Sequence, residues 1–422
     1  MVAFFATLFL PPDMPVVNNS TIAGIALLCF IYNPPAEKSR ILRSRPAVLF
    51  MLVFFLLQLI SAAVSTNQPR AWSIIGTRSA LLIFPATIGL ISIRSLLKKH
   101  ILLAYSVVIA TVAFCCLIDA VHRSWVNHDA QWLYDDSLTK LIGRTSVYMA
   151  LCVVLAIFSF GSLLENQVFT GRIKLAVYGC IAFLLVFHYL LASRISLLFL
   201  YATIIVYVFH RFPKGRKRGN YRWAAAGIAV LAIGSFFIFP KTLNRFRQLK
   251  YTHYDYHSRA VESHYNMAVT PDQWNGANFR LAVWNCGLGI ARRHLLTGVP
   301  LGDKQAGLMA EYKSRDFMFA YTRHRNLHST WLDVLVNTGI PGLLIFLLAY
   351  LVFPVVAAIR YKDWLSLAIV GCFAAAMLTE TWIDGSFGSI LLSFWLSLVS
   401  AWKTAPGMKP KRYPPLRIIH KV

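Results

Sequence analysis

The sequence predicts an all-α, polytopic membrane protein with about 12 transmembrane helices and one large loop on the outer face. Three observations carry that prediction. Hydrophobic residues make up 57% of the 422 positions and charged ones only 14%, a balance too apolar for a soluble chain of this length. Apolar runs of spanning length recur along the chain, a helix needing about twenty such residues to cross a bilayer. The basic residues behind the formal charge of +25 fall mainly in short gaps between those runs, where topology-setting charges belong, so the surplus argues for a membrane and not for nucleic acid.

The expected spans follow in order. Residues 1–10 form a short apolar run ended by Pro11 and Pro12, and 16–32 is a second, with Asn18 and Asn19 near one end. Clear runs follow at 47–64, 74–93 (Arg78 near its first end), 101–120 and 146–164. The run 175–209 is about 35 residues long, interrupted by Arg194. That is too long for one span, so it reads as two helices meeting at a tight turn at Ala192, Ser193 and Arg194. Further spans are expected at 223–239, 342–359, 365–378 and 386–402. The first residues lack a basic n-region and a small-residue cleavage site, so no removed signal peptide is expected.

Loop charges orient the chain. With both termini cytoplasmic, the inner gaps hold the clusters around Arg40, Lys98, Arg172, Lys217 and Arg360 and a basic tail. The short outer gaps and adjoining span ends then carry six basic residues: Arg70, Arg78, Arg123, Lys140, Arg144 and Arg194. This asymmetry follows the positive-inside rule, from which long translocated loops are exempt. The expected organisation is 1–240 for helices about 1–9, 241–329 for a large outer loop, 330–402 for helices about 10–12 and 403–422 for a basic cytoplasmic tail.

The polar stretch 241–328 holds six of the twelve histidines and thirteen Lys and Arg against six acids, so it attracts an anion: a lipid headgroup, a polyanionic glycan or a lipid diphosphate. Of the seven cysteines only Cys286 lies there, which excludes an internal disulfide, and no metal-type Cys spacing occurs.

Three patterns single out residues. Arg194 in L-L-A-S-R-I-S-L-L sits between two spans with nothing local to pair with, so it either snorkels to the surface or turns its planar fork into a polar cavity to grip phosphate. Residues 278–302 place Leu281, Trp284, Leu288 and Ile290 at helical spacing, closed by Gly298, Pro300 and Gly302. Arg280 and Trp284 share a face there, and Arg280 is either a headgroup contact or a second anion clamp. Residues 322–342 carry His324 and His328 four apart, as if on one helical face. The pair lacks an H-E-x-x-H pattern and a third ligand, so no metal is expected; a neutral imidazole serving as general base fits better.

Taken together, these patterns resemble the O-antigen ligase and O-antigen polymerase superfamily of bacterial membrane glycosyltransferases, closest to O-antigen ligase. The resemblance covers nearly the whole chain through its span count, its late outer loop and the order of the three patterns. The family's span-edge Arg matches Arg194 in A-S-R-I-S. Its Arg, Trp and Pro-Gly turn match Arg280, Trp284 and V-P-L-G, and its His element, acid and Gly-x-x-Gly match His328, Asp333, Gly339 and Gly342. The sequence departs from the pattern at Ser329, where the family has Asn, with Asn326 two residues before His328; this leaves His324 as a competing base.

The resemblance implies a C-type membrane glycosyltransferase (GT-C) fold in the bacterial inner membrane, with its site on the periplasmic face. It implies inverting, metal-independent transfer without a cofactor, from an undecaprenyl-diphosphate-linked glycan to a lipid A-core hydroxyl in lipopolysaccharide synthesis. His328 would be the general base, and Arg194 and Arg280 would hold the diphosphate. His324, Arg323, Arg325, Arg292, Arg293, Lys241 and Trp284 would contact substrate or membrane lipid. The long basic loop leans toward ligase; a polymerase of the same superfamily and a flippase or exporter of lipid-linked glycans remain the alternatives. The acids nearest to spans, Asp119, Glu380 and Asp384, sit at span edges, whereas transporters place ionisable groups inside them.

Overall fold

A computed structural model of the chain describes residues 1–10, 14–211, 246–260, 262, 270 and 273–402. The span expected at 223–239, Lys241 and the tail 403–422 lie outside the described residues. Among the described residues the protein is helical, with one isolated bridge between Glu262 and Trp274. The main helices are α1 (Val2–Thr7), α2 (Pro15–Tyr32), α3 (Pro35–Ser44), α4 (Pro46–Ala63), α5 (Gln68–Arg78), α6 (Ala80–Thr87), α7 (Ser95–Asn127), α8 (Ser146–Glu165), α9 (Gly171–Leu190) and α10 (Arg194–Arg211). Within the polar stretch lie α11 (Asn278–Arg293) and α12 (Lys304–Ser314), and after it α13 (Thr330–Leu347), α14 (Phe353–Arg360), α15 (Trp364–Ala376) and α16 (Ser386–Ala401).

Six helical stretches among the described residues are long and apolar enough to cross a bilayer: Pro46–Ala63, Gln68–Leu90, Ser95–Asn127, Ser146–Glu165, Gly171–Leu190 and Thr330–Arg360. A seventh arises if Val16–Tyr32 and Pro35–Ser44, bent by 100°, count as one span. Arg194–Phe209, Trp364–Ala376 and Ser386–Ala401 are shorter apolar helices. The protein is therefore a multi-pass membrane protein. The span expected at 1–10 is corrected: α1 has six residues, about 9 Å of helix against about 30 Å of hydrocarbon. Instead Phe4 and Phe5 are buried against Phe84, Tyr105 and Phe394. The break expected at 192–194 is present, with α9 ending at Leu190, Ala192 at φ 51° and α10 starting at Arg194.

The core is built on α16, which buries every residue from Phe387 to Ala401, as a helix apolar all round must. Two features then position the polar site. The connection between α15 and α16, which carries Glu380 and Asp384, follows a helix of only 13 residues. And α13 is not one rod: Gly339 stands at φ 65°, ψ −169°, a left-handed φ that glycine adopts without a Cβ clash, with Pro341 just beyond. The rings of Trp331 and Phe346 lie 5.4 Å apart, whereas a straight helix would separate them by about 22 Å. The first arm of α13 thus folds back along the second, and Trp331 lies beside the body of the span, about 9 Å along it from the bend.

Candidate active site

Two arginines from distant parts of the sequence meet at one glycine. Arg194 begins α10, directly after the α9–α10 turn. Arg280 lies in the first turn of α11, whose start is shaped by Asn275: its Oδ1 accepts from the amides of Ala277 (2.8 Å) and Asn278 (3.1 Å). Gly276 sits inside this turn, and a Cβ there would stand 2.6 Å from Arg194 Nη2 and 3.1 Å from Arg280 Nη1. Only glycine lets both guanidiniums come this close to the backbone.

The second terminal nitrogen of Arg280 faces the other way. Nη2 donates to Glu380 Oε1 at 2.8 Å, Nη1 to the Gly276 carbonyl at 2.7 Å and Nε to the Thr379 carbonyl at 3.1 Å. The other carboxylate oxygen, Oε2, lies 3.3 Å from His328 Nδ1. Burial pushes the Glu380 carboxyl up, but the hydrogen bond and charge of His328 together with Arg280 outweigh it and hold the group below its ordinary value. With Glu380 ionised, His328 carries its proton on Nδ1 and presents the Nε2 lone pair, as a general base requires.

The segment carrying His328 is tied to the α15–α16 connection. Thr330 N–H donates to the Met377 carbonyl (2.9 Å) and the Glu380 carbonyl (3.1 Å), its Oγ1 donates to the Glu380 carbonyl at 2.7 Å, and Asn326 Nδ2 donates to Thr381 Oγ1 at 2.6 Å. His328 adopts φ 45°, uncommon for a residue with a Cβ, and its N–H is held by Asn326 Oδ1 at 3.1 Å. The Phe279 ring meets the imidazole edge-on at 5.8 Å.

Other expected site residues fall in different places. His324 and His328 do not share a helical face: both lie in the loop before α13 at positive φ, and Ser329, at the position where the family has Asn, is the N-cap of that helix. His324 is exposed, and its side chain makes no hydrogen bond with the described residues. Trp284 does share the face of Arg280, but its indole N–H donates to the Leu327 carbonyl at 2.9 Å, bracing the loop that carries the histidine. Arg325 pairs with Glu262 at 2.5 Å and lies over the Phe279 ring, Arg323 lies 3.9 Å over Phe319, and Arg293 pairs with Glu311 at 2.5 Å. Arg292 is exposed on the last turn of α11.

Asp333, expected only as a family acid, belongs to a second, buried cluster. Lys304 Nζ bonds Asp333 Oδ1 (2.5 Å) and Asp384 Oδ1 (3.1 Å), while Arg78 Nη2 bonds the same Asp384 oxygen (2.8 Å) and Asp333 Oδ2 (3.4 Å). Two cations and two anions from four segments thus pair, which burial of charge demands. Beside them the Pro-Gly turn fastens the loop to the spans. Val299 N–H donates to the Val336 carbonyl and Ile340 N–H to the Leu295 carbonyl, both at 2.7 Å, and Asp303 accepts from the amides of Thr66 (2.7 Å) and Asn67 (2.9 Å).

Glu380, which joins Arg280 to His328, is not a site candidate on its sequence pattern. Its only linear signal is an acid in a short gap between two apolar runs, fifty-two residues from His328. Among the described residues no group of three or more His, Cys, Asp or Glu is gathered so as to hold a metal ion.

In this helical membrane protein two converging guanidiniums stand next to a carboxylate-held imidazole, donors suited to an anion beside a group suited to accept a proton. Over residues 179–347 the chain matches the family described as O-antigen ligase, a segment that includes Arg194, Arg280 and His328 and ends before Glu380. The resemblance to the O-antigen ligase superfamily is therefore supported over that segment of the chain. No curated protein matches the chain.

Proposed function

We propose that the protein is an O-antigen ligase of the periplasmic face of a bacterial inner membrane, with a GT-C fold and both termini cytoplasmic. It transfers a glycan from undecaprenyl diphosphate to a sugar hydroxyl of lipid A-core by metal-independent inversion. The observation that carries the reading is the convergence of Arg194 and Arg280 on Gly276, with Arg280 sharing Glu380 with His328.

Arg194 and Arg280 hold the diphosphate through charge-assisted bonds that strengthen as the bond to the sugar breaks and negative charge gathers on the leaving phosphate. His328 Nε2 takes the proton of the acceptor hydroxyl as its oxygen bonds the anomeric carbon from the side opposite the leaving group. The products are the glycosylated acceptor, protonated His328 and free lipid diphosphate. Such a base contributes about 10²–10⁴-fold, and the two guanidiniums supply the positive charge that a divalent ion would otherwise bring.

The test is glycan transfer in vitro from an undecaprenyl diphosphate donor to lipid A-core, with chelator present. Wild type and His324→Ala are expected to transfer, while His328→Ala and Arg280→Ala lose at least about 10²-fold. Lengthening of the lipid-linked glycan with the core untouched would make the protein a polymerase. Donor binding without transfer to either acceptor would make it a transporter.

A further inference from the structure

One carboxylate joins the clamp to the base. Glu380 gives Oε1 to Arg280 and Oε2 to His328, so its charge is divided between a guanidinium and an imidazole. Arg280 is divided in turn, with Nη2 on Glu380 and Nη1 on the side where Arg194 Nη2 approaches Gly276. An anion seated at Gly276 therefore competes with Glu380 for the charge of Arg280.

We propose that Glu380 is a positioning residue that couples occupancy of the anion clamp to the strength of His328 as a base. With the clamp empty, Arg280 and the imidazole share the charge of Glu380, one on each carboxylate oxygen. With a diphosphate seated, Arg280 turns part of its charge to the phosphate. Glu380 is then left to hold the Nδ1–H of His328 and to stabilise its protonated form, and the phosphate adds its own negative charge nearby. This rests on the lipid-diphosphate reading above and adds an order to it: the base gains strength when the leaving group is in place. Departure of the lipid diphosphate resets it.

The other charged groups around this chain leave the relay intact. Asp384 is balanced by Arg78 and Lys304, and Arg325, over the Phe279 ring, is paired with Glu262. Arg144, just before α8, lies over the Phe387 ring. Arg194 lies on the clamp side of Arg280, so a bound anion draws on both guanidiniums before it reaches Glu380.

The test measures binding and turnover separately in full-length purified protein. Geranylgeranyl diphosphate, which carries no sugar, is titrated by calorimetry between about pH 6 and 8 in buffers of different ionisation heat, which reports proton uptake. Wild type is expected to take up a proton on binding, so affinity rises as pH falls. Glu380→Gln removes the competitor for Arg280. It should bind the diphosphate about tenfold tighter near pH 8, without proton uptake, while its glycan transfer falls at least about tenfold. A merely structural residue would lose binding and turnover together. His328→Gln should abolish the uptake and keep wild-type affinity near pH 8.

Equal or weaker binding by Glu380→Gln, or proton uptake that persists in His328→Gln, overturns the proposal. Should Glu380→Gln fail to fold, the uptake decides: wild type that binds without taking up a proton sinks it. Wild type that binds no diphosphate at all removes the proposed donor itself, a distinct result.

Discussion

Gly276→Ala adds one methyl group and no charge at the meeting point of the two arginines. The backbone there lies outside the left-handed region, so alanine is conformationally allowed and the fold should tolerate it, with stability changed by less than about 1 kcal/mol. The new Cβ would stand 2.6 Å from Arg194 Nη2, and van der Waals contact begins near 3.5 Å. The end of a flexible side chain must therefore retreat by about 0.9 Å, which costs folding little and displaces the clamp. Misplacing a reacting group by about 1 Å can cost about 10²-fold, or about 2.7 kcal/mol of transition-state stabilisation. The assay is glycan transfer by protein in liposomes, with thermal unfolding followed in parallel. The expected result is an unfolding midpoint within a few degrees of wild type and a turnover lower by about 10². Transfer within about twofold of wild type would refute the idea that the guanidiniums act together at this glycine.

Lys304→Met leaves Asp333 and Asp384 with Arg78 alone and should lower the unfolding free energy by about 3–5 kcal/mol in detergent titrations; a loss below about 1 kcal/mol would mean the cluster is not mutually dependent. Gly339→Ala forces a Cβ into a left-handed residue 2.6 Å from the carbonyl oxygens of Leu295 and Leu296, so it should cost more than about 2 kcal/mol, read as a lowered unfolding midpoint. Asp303 has its carboxyl held below the usual aspartate range, first by the Thr66 amide and against burial, and next by Asn67. A lowered folded value means this attachment is fully present above about pH 3.9 and is lost as pH falls through the lowered value; hydrogen exchange at Thr66 and Asn67 should accelerate there.

Composition alone was enough to place the chain in a membrane, because about twenty consecutive apolar residues have few other stable environments. The α9–α10 break at Arg194 was equally legible, since a 35-residue run cannot be one span, and helical spacing announced α11. Arg194, Arg280 and His328 could be named as separate candidates because each is a polar residue at the edge of an apolar pattern. That two of them meet at Gly276 could not be read, because spacing along a chain says nothing of distance across it. The helical pairing of His324 with His328 failed for a related reason: four-residue spacing implies a shared face only inside a helix, and this segment is a loop held by contacts with residues 377–381. The partners of Glu380 and the pairing within the Arg78–Lys304–Asp333–Asp384 cluster could not be read from sequence. A carboxylate's role depends on which cation the fold brings to it, and those partners lie from 29 to 306 positions away. The sequence by itself determined the solvent, the α9–α10 break and the inventory of charges; only the tertiary structure decided which charges meet, because burial in a low dielectric makes each of them depend on its partner.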